Sequence, residues 1–316
     1  MAKFMVTGGA GFIGSHIVEH LAALGNEVLV FDDFSSGFMS NLDHIANKGK
    51  MKVVRGSVTS FDSLRDAFDM FGGCDYIFHE AAQVSVVSSL KNPQKTYEVN
   101  VGGTSNVLRV AKEIGVKRVV IASSAAVYGN ISKENNIGVS EDDPTSPISP
   151  YASSKLRNEQ DALDSGVETV CLRYFNVYGP RQNPDSPYSG VISKFANEMS
   201  SGNSPTIFGD GTQTRDFVYV GDVAHANLLA IESKNAVGQV FNIGSGTATT
   251  INGLVAELNS LFGTNFTPNY AGERTGDIKH SCADISKARK SMGFLPSYQL
   301  KDGLRMTIDW LKKRKV

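Results

Sequence analysis

Three residues of this chain could handle a proton together. Tyr151 and Lys155 stand four apart in Tyr-Ala-Ser-Ser-Lys, directly after Pro150. On a helix that spacing puts both side chains on one face, a turn apart. A phenol serves as a general base only if its pKa falls from about 10 towards 7, roughly 4 kcal/mol of differential stabilisation. An ammonium one turn away and a cationic ring beside the phenol could supply it. In a chain with 10 tyrosines the bare pattern occurs easily by chance. Its weight comes from position, because the helix follows an apolar run, Arg118 to Ala122, that ends in the hydroxyls of Ser123 and Ser124. Ala125 and Ala126 come next, where an acid would be useful.

A second constellation opens the chain. A strand-like run at 3–7 leads into Gly8-Gly-Ala-Gly11-Phe12-Ile13-Gly14, and a helical pattern follows. Gly8 permits the tight turn, Gly11 lets the backbone approach a pyrophosphate, and Gly14 lets the helix pack close to the strand. The helix N-terminus offers free N–H groups and the positive end of its dipole to phosphate. The next strand ends at Asp32, the expected place of the acid that binds an adenosine ribose. Asp33 follows and no arginine stands nearby, so the cofactor expected is NAD and not NADP, whose 2′-phosphate a carboxylate repels.

These residues need elements to position them. Strands are expected at 3–7, 27–31, 51–54, 75–79, 118–122, 167–173 and 239–243. Amphipathic helices are expected at 12–24, 60–71, 95–114 and 150–164. The alternation predicts an α/β fold with a doubly wound parallel sheet covered on both faces. Beyond about residue 176 Gly, Pro, Asn and Ser punctuate shorter segments. The expected division is a dinucleotide-binding domain over 1–175, joined in its sheet by a contribution from about 215–243, and a smaller lobe over 176–316. The chain has 316 residues and a net charge of -1. That length supports a full core, and the charge argues against a nucleic-acid or anionic-membrane partner. The basic tail Lys312 to Lys315 reads as a helix end opposing its dipole. No apolar run approaches a membrane span, and the strand-like opening leaves no room for a secretory leader. Cys74, Cys171 and Cys282 lie far apart, as reduced structural thiols of a cytoplasmic protein. No metal is expected. His16, His20, His44, His79, His225 and His280 lack ligand spacing, and Phe-Gly-Asp210-Gly reads as a turn and not a calcium loop.

Taken together, the glycine loop, Ser-Ser-x-x-Val-Tyr-Gly at 123–129, Tyr-x-x-x-Lys at 151–155 and Arg-Tyr-Phe-Asn at 173–176 resemble the extended short-chain dehydrogenase/reductase superfamily. Within it, the chain is similar to the NAD-dependent epimerases and dehydratases of nucleotide sugars, from residue 3 to about 312. The resemblance implies a Rossmann-type sheet with a smaller C-terminal α/β substrate-binding lobe, and a UDP-sugar 4-epimerase. Tyr151 would be the base, Lys155 would tune it and hold the nicotinamide ribose, and Ser124 would bind the sugar 4-hydroxyl. Ser35, Ser36 and Gly37 match positions near the adenosine. The strand end Phe78-His-Glu-Ala81-Ala82-Gln83 matches a cofactor-lining loop, and Asn100, Ser123 and Tyr174 also match the cofactor side. Ser57 and Val58 stand where the family usually has an acid near the adenine. Ser85, Asn176, Val191, Ile207, Phe208, Arg215, Arg274 and Asp277 match the substrate side, the two arginines as forks for the diphosphate.

The family's dehydratases and decarboxylases carry acids next to the strand-end hydroxyl. The methyl groups of Ala125 and Ala126 cannot shuttle a proton, so the resemblance points to 4-epimerisation. Ser281 matches a gatekeeper that is a bulky aromatic in members restricted to glucose and galactose. A small residue leaves room for a 2-acetamido group, so UDP-GlcNAc and UDP-GalNAc are expected substrates beside UDP-Glc and UDP-Gal. The segments 173–182 and Tyr188 to Lys194 also resemble that broad-specificity branch. A UDP-glucuronate 4-epimerase, a nucleotide-sugar 4-keto reductase and a non-catalytic dinucleotide sensor stay open as alternatives. A homodimer is the family expectation, through helices such as 95–114 and 150–164.

Overall fold

The apolar runs become strands, those inside the sheet buried on both faces as helices on each side require, while the edge run at 51–54 stays partly exposed. A computed structural model describes residues 2–45, 48–131, 138–184, 190–273 and 278–314. In chain order its strands are β1 (Lys3–Thr7), β2 (Glu27–Asp32), β3 (Met51–Arg55), β4 (Tyr76–His79), β5 (Arg118–Ser124), β6 (Thr169–Tyr174), β7 (Asn176–Tyr178), β8 (Thr206–Phe208), β9 (Thr214–Tyr219), β10 (Gln239–Ile243), β11 (Ala248–Thr250) and β12 (Asn269–Ala271). Its helices are α1 (Phe12–Ala23), α2 (Phe61–Phe71), α3 (Val86–Lys91), α4 (Pro93–Tyr97), α5 (Gly103–Ile114), α6 (Pro150–Asp164), α7 (Val191–Ser200), α8 (Val220–Glu232), α9 (Ile251–Phe262), α10 (Ser286–Met292) and α11 (Leu300–Arg314).

Seven strands form one parallel sheet in the order β10-β6-β5-β4-β1-β2-β3. The order reverses between β1 and β4, which opens a crevice at the carboxyl ends of the central strands, where open α/β sheets bind their ligands. One face packs Val6, Phe78, Val120 and Leu172 against Ile17 and Leu21 of α1 and Val223 and Ala226 of α8. The other packs Met5, Ile77, Ile121 and Cys171 against Leu64 of α2, Val107 and Ala111 of α5 and Ala162 of α6. A third core, around Tyr178, Phe195, Leu254 and Ile308, joins β7, α7, α9 and α11. Two small sheets, β11-β9-β7 and β12-β8, border it.

Two expectations are refined. Of the segment 215–243, only β10 enters the main sheet. β9 pairs with β7 and β11 instead, while α8 between them covers the sheet. The single helix expected at 95–114 is broken into α4, a wide π turn over Glu98–Gly102, and α5, with α3 ahead of them. Asn92 caps α4 by accepting from the Lys95 N–H, and Pro93 takes the first helical position. The glycine pair Gly102-Gly103 follows the wide turn, where the built Cβ of Gly103 would lie 2.5 Å from Val58.

Candidate active site

The turn after β1 is tight. Gly8 has φ 68°, and a Cβ on it would stand 2.7 Å from the Ala81 nitrogen. A Cβ on Gly14 would stand 2.2 Å from the Gly8 carbonyl oxygen, inside any permitted contact, so α1 runs directly off the turn. A Cβ on Gly11 would meet only the Gly8 oxygen, at 3.0 Å, leaving its backbone open on the crevice side. Asp32, at the end of β2, ties this turn to the next loop. One carboxylate oxygen accepts from Ala10 N–H at 2.9 Å and the other from Phe34 N–H at 2.8 Å. Burial raises its pKa first, the two N–H donors pull it down, and the negative Asp33 pushes it up again. Gly37 fits against it, since a Cβ there would lie 3.0 Å from the Asp32 Oδ1. A buried acid beside a floor of glycine backbone suits an adenosine ribose and pyrophosphate, and the residues present fit the dinucleotide. Asp33 accepts from Ser35 N–H at 2.8 Å, and Ser35 and Ser36 are exposed at the rim. Ser57 shares a hydrogen bond with Thr59 at 2.9 Å, and Val58 is buried against Gly103.

Beyond the turn, the ends of β1 and β4 are locked by a histidine that spacing alone did not single out. His79 Nδ1 lies 2.7 Å from the Thr7 hydroxyl and its Nε2 lies 2.9 Å from the Thr104 hydroxyl. Burial, then the charge of Lys155, lowers its pKa to about 3, so the ring is neutral. The Asn100 amide, fully buried on the π turn, accepts from Gln83 N–H at 2.8 Å and donates to the Gln83 carbonyl at 3.2 Å and Ser154 at 2.9 Å. It braces the Ala81-Ala82-Gln83 loop to α6 through its side chain.

The catalytic candidates converge at the end of β5. Ser149 caps α6 by accepting from Ala152 N–H at 3.1 Å, and Pro150 starts the helix. Tyr151 is buried in the first turn beside Ser124. Burial raises the Tyr151 pKa, the Ser124 hydroxyl lowers it, and the negative Glu80 raises it. Lys155 donates to the Ala122 carbonyl at 2.7 Å. Burial lowers its pKa to about 8 against the opposing negative charges of Glu80 and Glu159. A buried ammonium takes the nearest acceptor, here a strand carbonyl, and the phenol stays neutral in the protein alone.

Ser123 points elsewhere. Its hydroxyl donates to Glu159, which forms a bidentate pair with Arg173 at 2.9 and 2.7 Å. Arg173 donates on to the Tyr128 hydroxyl at 2.8 Å, and Tyr128 to Asn242 at 2.7 Å. This buried network fixes the registry of β5, β6, β10 and α6 beneath the site, and leaves only the Ser123 backbone to line the crevice. Sequence reasoning missed it, and took Glu80 only as part of the strand end Phe78 to Gln83. The signal for Glu80 was a charge directly after the apolar run Tyr-Ile-Phe-His, at the carboxyl end of a parallel strand.

On the lobe side, Asn176 pairs with Phe217 between β7 and β9, next to Arg215. Arg215 Nη1 donates to the Thr214 carbonyl at 2.7 Å. Ile207 is buried and Phe208 half-buried on β8, and Val191 is the first residue of α7. Ser85 caps α3 and is buried. Ser281 is half-buried beside Cys282 and Ala283, whose backbone is pinned by Val139 and by Asp216. Asp216 also accepts from Ser245 and Gly246, which braces the turn after β10. Arg274, Asp277 and Tyr188 lie outside the described residues. Among the described residues no group of three or more His, Cys, Asp or Glu could hold a metal, and no helix is long and apolar enough to cross a membrane.

With this geometry in hand, comparison with known proteins is specific. The model of the NAD dependent epimerase/dehydratase family matches residues 4–244. A putative UDP-glucose 4-epimerase of Methanocaldococcus jannaschii is 39% identical over 314 residues, 98% of each chain. The crystal structure of a UDP-glucose 4-epimerase from Thermotoga maritima with UDP-glucose superposes with TM-score 0.92 at 36% identity, covering 99% of this chain and 100% of that one. A UDP-N-acetylglucosamine 4-epimerase from Methanobrevibacter ruminantium, in complex with UDP-N-acetylmuramic acid, gives 0.91 at 37% identity over 99% of both chains. A family model spanning the glycine turn, the Ser124–Tyr151 contact and β10, together with relatives alike from end to end, shows that this chain belongs to the NAD-dependent epimerase/dehydratase family.

Proposed function

We propose that the chain is a UDP-hexose 4-epimerase that interconverts UDP-GlcNAc with UDP-GalNAc and UDP-Glc with UDP-Gal. The observation that carries this reading is buried Tyr151 beside the Ser124 hydroxyl, one helical turn from Lys155, followed by a short turn, Ala125–Tyr128, that contains no carboxylic acid. Such a site can move one proton at one hydroxyl and has no carboxylic acid in that turn for elimination, its Tyr128 phenol being held by Arg173 and Asn242.

Bound NAD supplies a hydride acceptor and donor for sugar C4. The chain supplies the rest. Ser124 holds the 4-hydroxyl, and Tyr151 takes its proton as C4 is oxidised and returns it after the 4-keto sugar has presented its other face. Lys155, fixed by Ala122, stays where it can hold a ribose hydroxyl and add positive charge near the phenol. Tyr151 starts with a raised pKa, so the cationic environment that lowers it arrives with the cofactor, and proton abstraction is coupled to cofactor occupancy. Asp32 and the glycine turn grip the adenosine half. Asn176, Arg215, Arg274 and Asp277 hold the diphosphate and uridine while the sugar turns, and Ser281 leaves room for the acetamido group. The protein pairs as a homodimer through α4, α6 and their neighbours, where Leu90, Tyr97 and Leu163 are exposed.

The test is UDP-galactose carrying deuterium at C4, given to the isolated protein without reductant. The expected product is UDP-glucose with deuterium kept at C4. No turnover of UDP-galactose, with NADH consumed once a UDP-4-keto-hexose is supplied, would indicate a 4-keto reductase instead. Turnover of UDP-glucuronate with none of the hexoses would move the assignment to that epimerase.

A further inference from the structure

Glu80 is an acid in a place where burial is costly. It follows β4 at the crevice floor, with its N–H donating to the Thr7 carbonyl at 3.1 Å. Its side chain is partly open to the crevice and otherwise ringed by protein. One carboxylate oxygen accepts from the Tyr174 hydroxyl at 2.8 Å. That hydroxyl accepts in turn from Asn227 Nδ2 at 2.8 Å, and Asn227 is held by the Val223 carbonyl at 2.9 Å. The second oxygen has no hydrogen-bond partner among the described residues. A carboxylate with one anchored and one unpaired oxygen acts on its surroundings through its field.

The charged and titratable groups facing it are few. From α6 come Lys155 and Tyr151, and from β6 comes Tyr174. His79, next to it on β4, is a neutral ring between two threonines. α8 presents only Asn227. β4 and β5 pair His79 with Ile121, so Glu80 sits level with Ala122, whose carbonyl holds the Lys155 ammonium. The acid and the ammonium therefore lie at one level of the sheet, each held by a different neighbour.

We propose that Glu80 is a positioning residue that sets the charge of Tyr151 and Lys155 together, so that the pH window in which the phenol is a base and the amine a cation moves as one. The proposal rests on the epimerase reading for its kinetic consequence, not for its electrostatic one. Its negative charge holds the proton on both groups, and burial brings its own pKa up to about 7. Glu80 is thus charged on the alkaline side of neutrality. There it keeps the Lys155 ammonium from losing its proton to burial, at the expense of a less acidic Tyr151.

The test compares Glu80→Gln with the wild type. Glutamine keeps an oxygen for the Tyr174 hydroxyl and removes the charge. Both limbs of the kcat/KM profile are expected to move to lower pH. Where each limb moves by one pH unit, the ratio of variant to wild-type activity falls about 100-fold across the profile, about tenfold on each limb. Tyr174→Phe removes the bond that favours the Glu80 carboxylate and is expected to move the limbs the same way. A purely structural role would lower activity by one factor at every pH and leave both limbs in place, which overturns the proposal. A second readout needs no substrate. The near-ultraviolet tyrosinate signal lost on Tyr151→Phe is titrated with and without Glu80→Gln. Its midpoint moves down if Glu80 acts on the phenol, even if the sugar assignment fails, and an unmoved midpoint overturns the proposal.

Discussion

Tyr151 is a neutral phenol until the cofactor arrives, and that fixes what its removal should do. Tyr151→Phe keeps the ring and its packing and removes the proton acceptor. A drop of about 10³-fold in kcat with cofactor still bound is expected from turnover and bound-nucleotide absorbance. Comparable activity in the variant would show that another group takes the proton. Ser281 makes a second claim at this scale. Ser281→Tyr should lower activity on UDP-GlcNAc by roughly 100-fold or more while sparing UDP-galactose, since a filled volume rejects the acetamido group first. Equal losses on both substrates would refute its gatekeeper role. Tyr151 and Lys155 were legible because four-residue spacing on one helix is local, and Ser124 because it ends an apolar run. The Lys155–Ala122 and Glu80–Tyr174 contacts span 33 and 94 residues, so only the fold brings them together.

At the scale of elements, the strand ends are pinned by side chains, and His79 is the clearest pin. Its pKa, about 3 in the fold against 6.5 free, means that between these values the unfolded chain binds the extra proton. The stability from neutral His79 is therefore complete above pH 6.5 and lost as pH falls towards 3. Glu80, raised to about 7, acts in the opposite sense down to its free value of 4.5. The difference between variants isolates the histidine. His79→Asn should lose stability less steeply than the wild type between pH 6.5 and 5, by about 1.4 kcal/mol per pH unit in denaturant unfolding. Parallel slopes would show that His79 carries no such linkage. The strands of the main sheet were legible because burial on both faces leaves continuous apolar runs. The break of the 95–114 helix was not, because a π turn keeps helical composition while changing its hydrogen bonds.

For the whole molecule, the doubly wound sheet followed from the alternation of runs and helices. The wiring of the second half did not, because β7, β8, β11 and β12 are three residues each, too short for a periodic signal. Pairing across two copies is the other claim at this scale. Sedimentation equilibrium should report a homodimer, and Leu163→Glu should shift it towards monomer by placing a charge on that face. A monomeric wild type would remove the claim. The central claim is that one site, with its cofactor retained, inverts C4 of a UDP-hexose and tolerates a 2-acetamido group. The most direct measurement is proton NMR of the anomeric region after mixing the isolated protein with UDP-GlcNAc and no added cofactor. Appearance of UDP-GalNAc is the predicted result, and absence of conversion with UDP-GlcNAc and UDP-galactose alike, even after NAD is added, would contradict it.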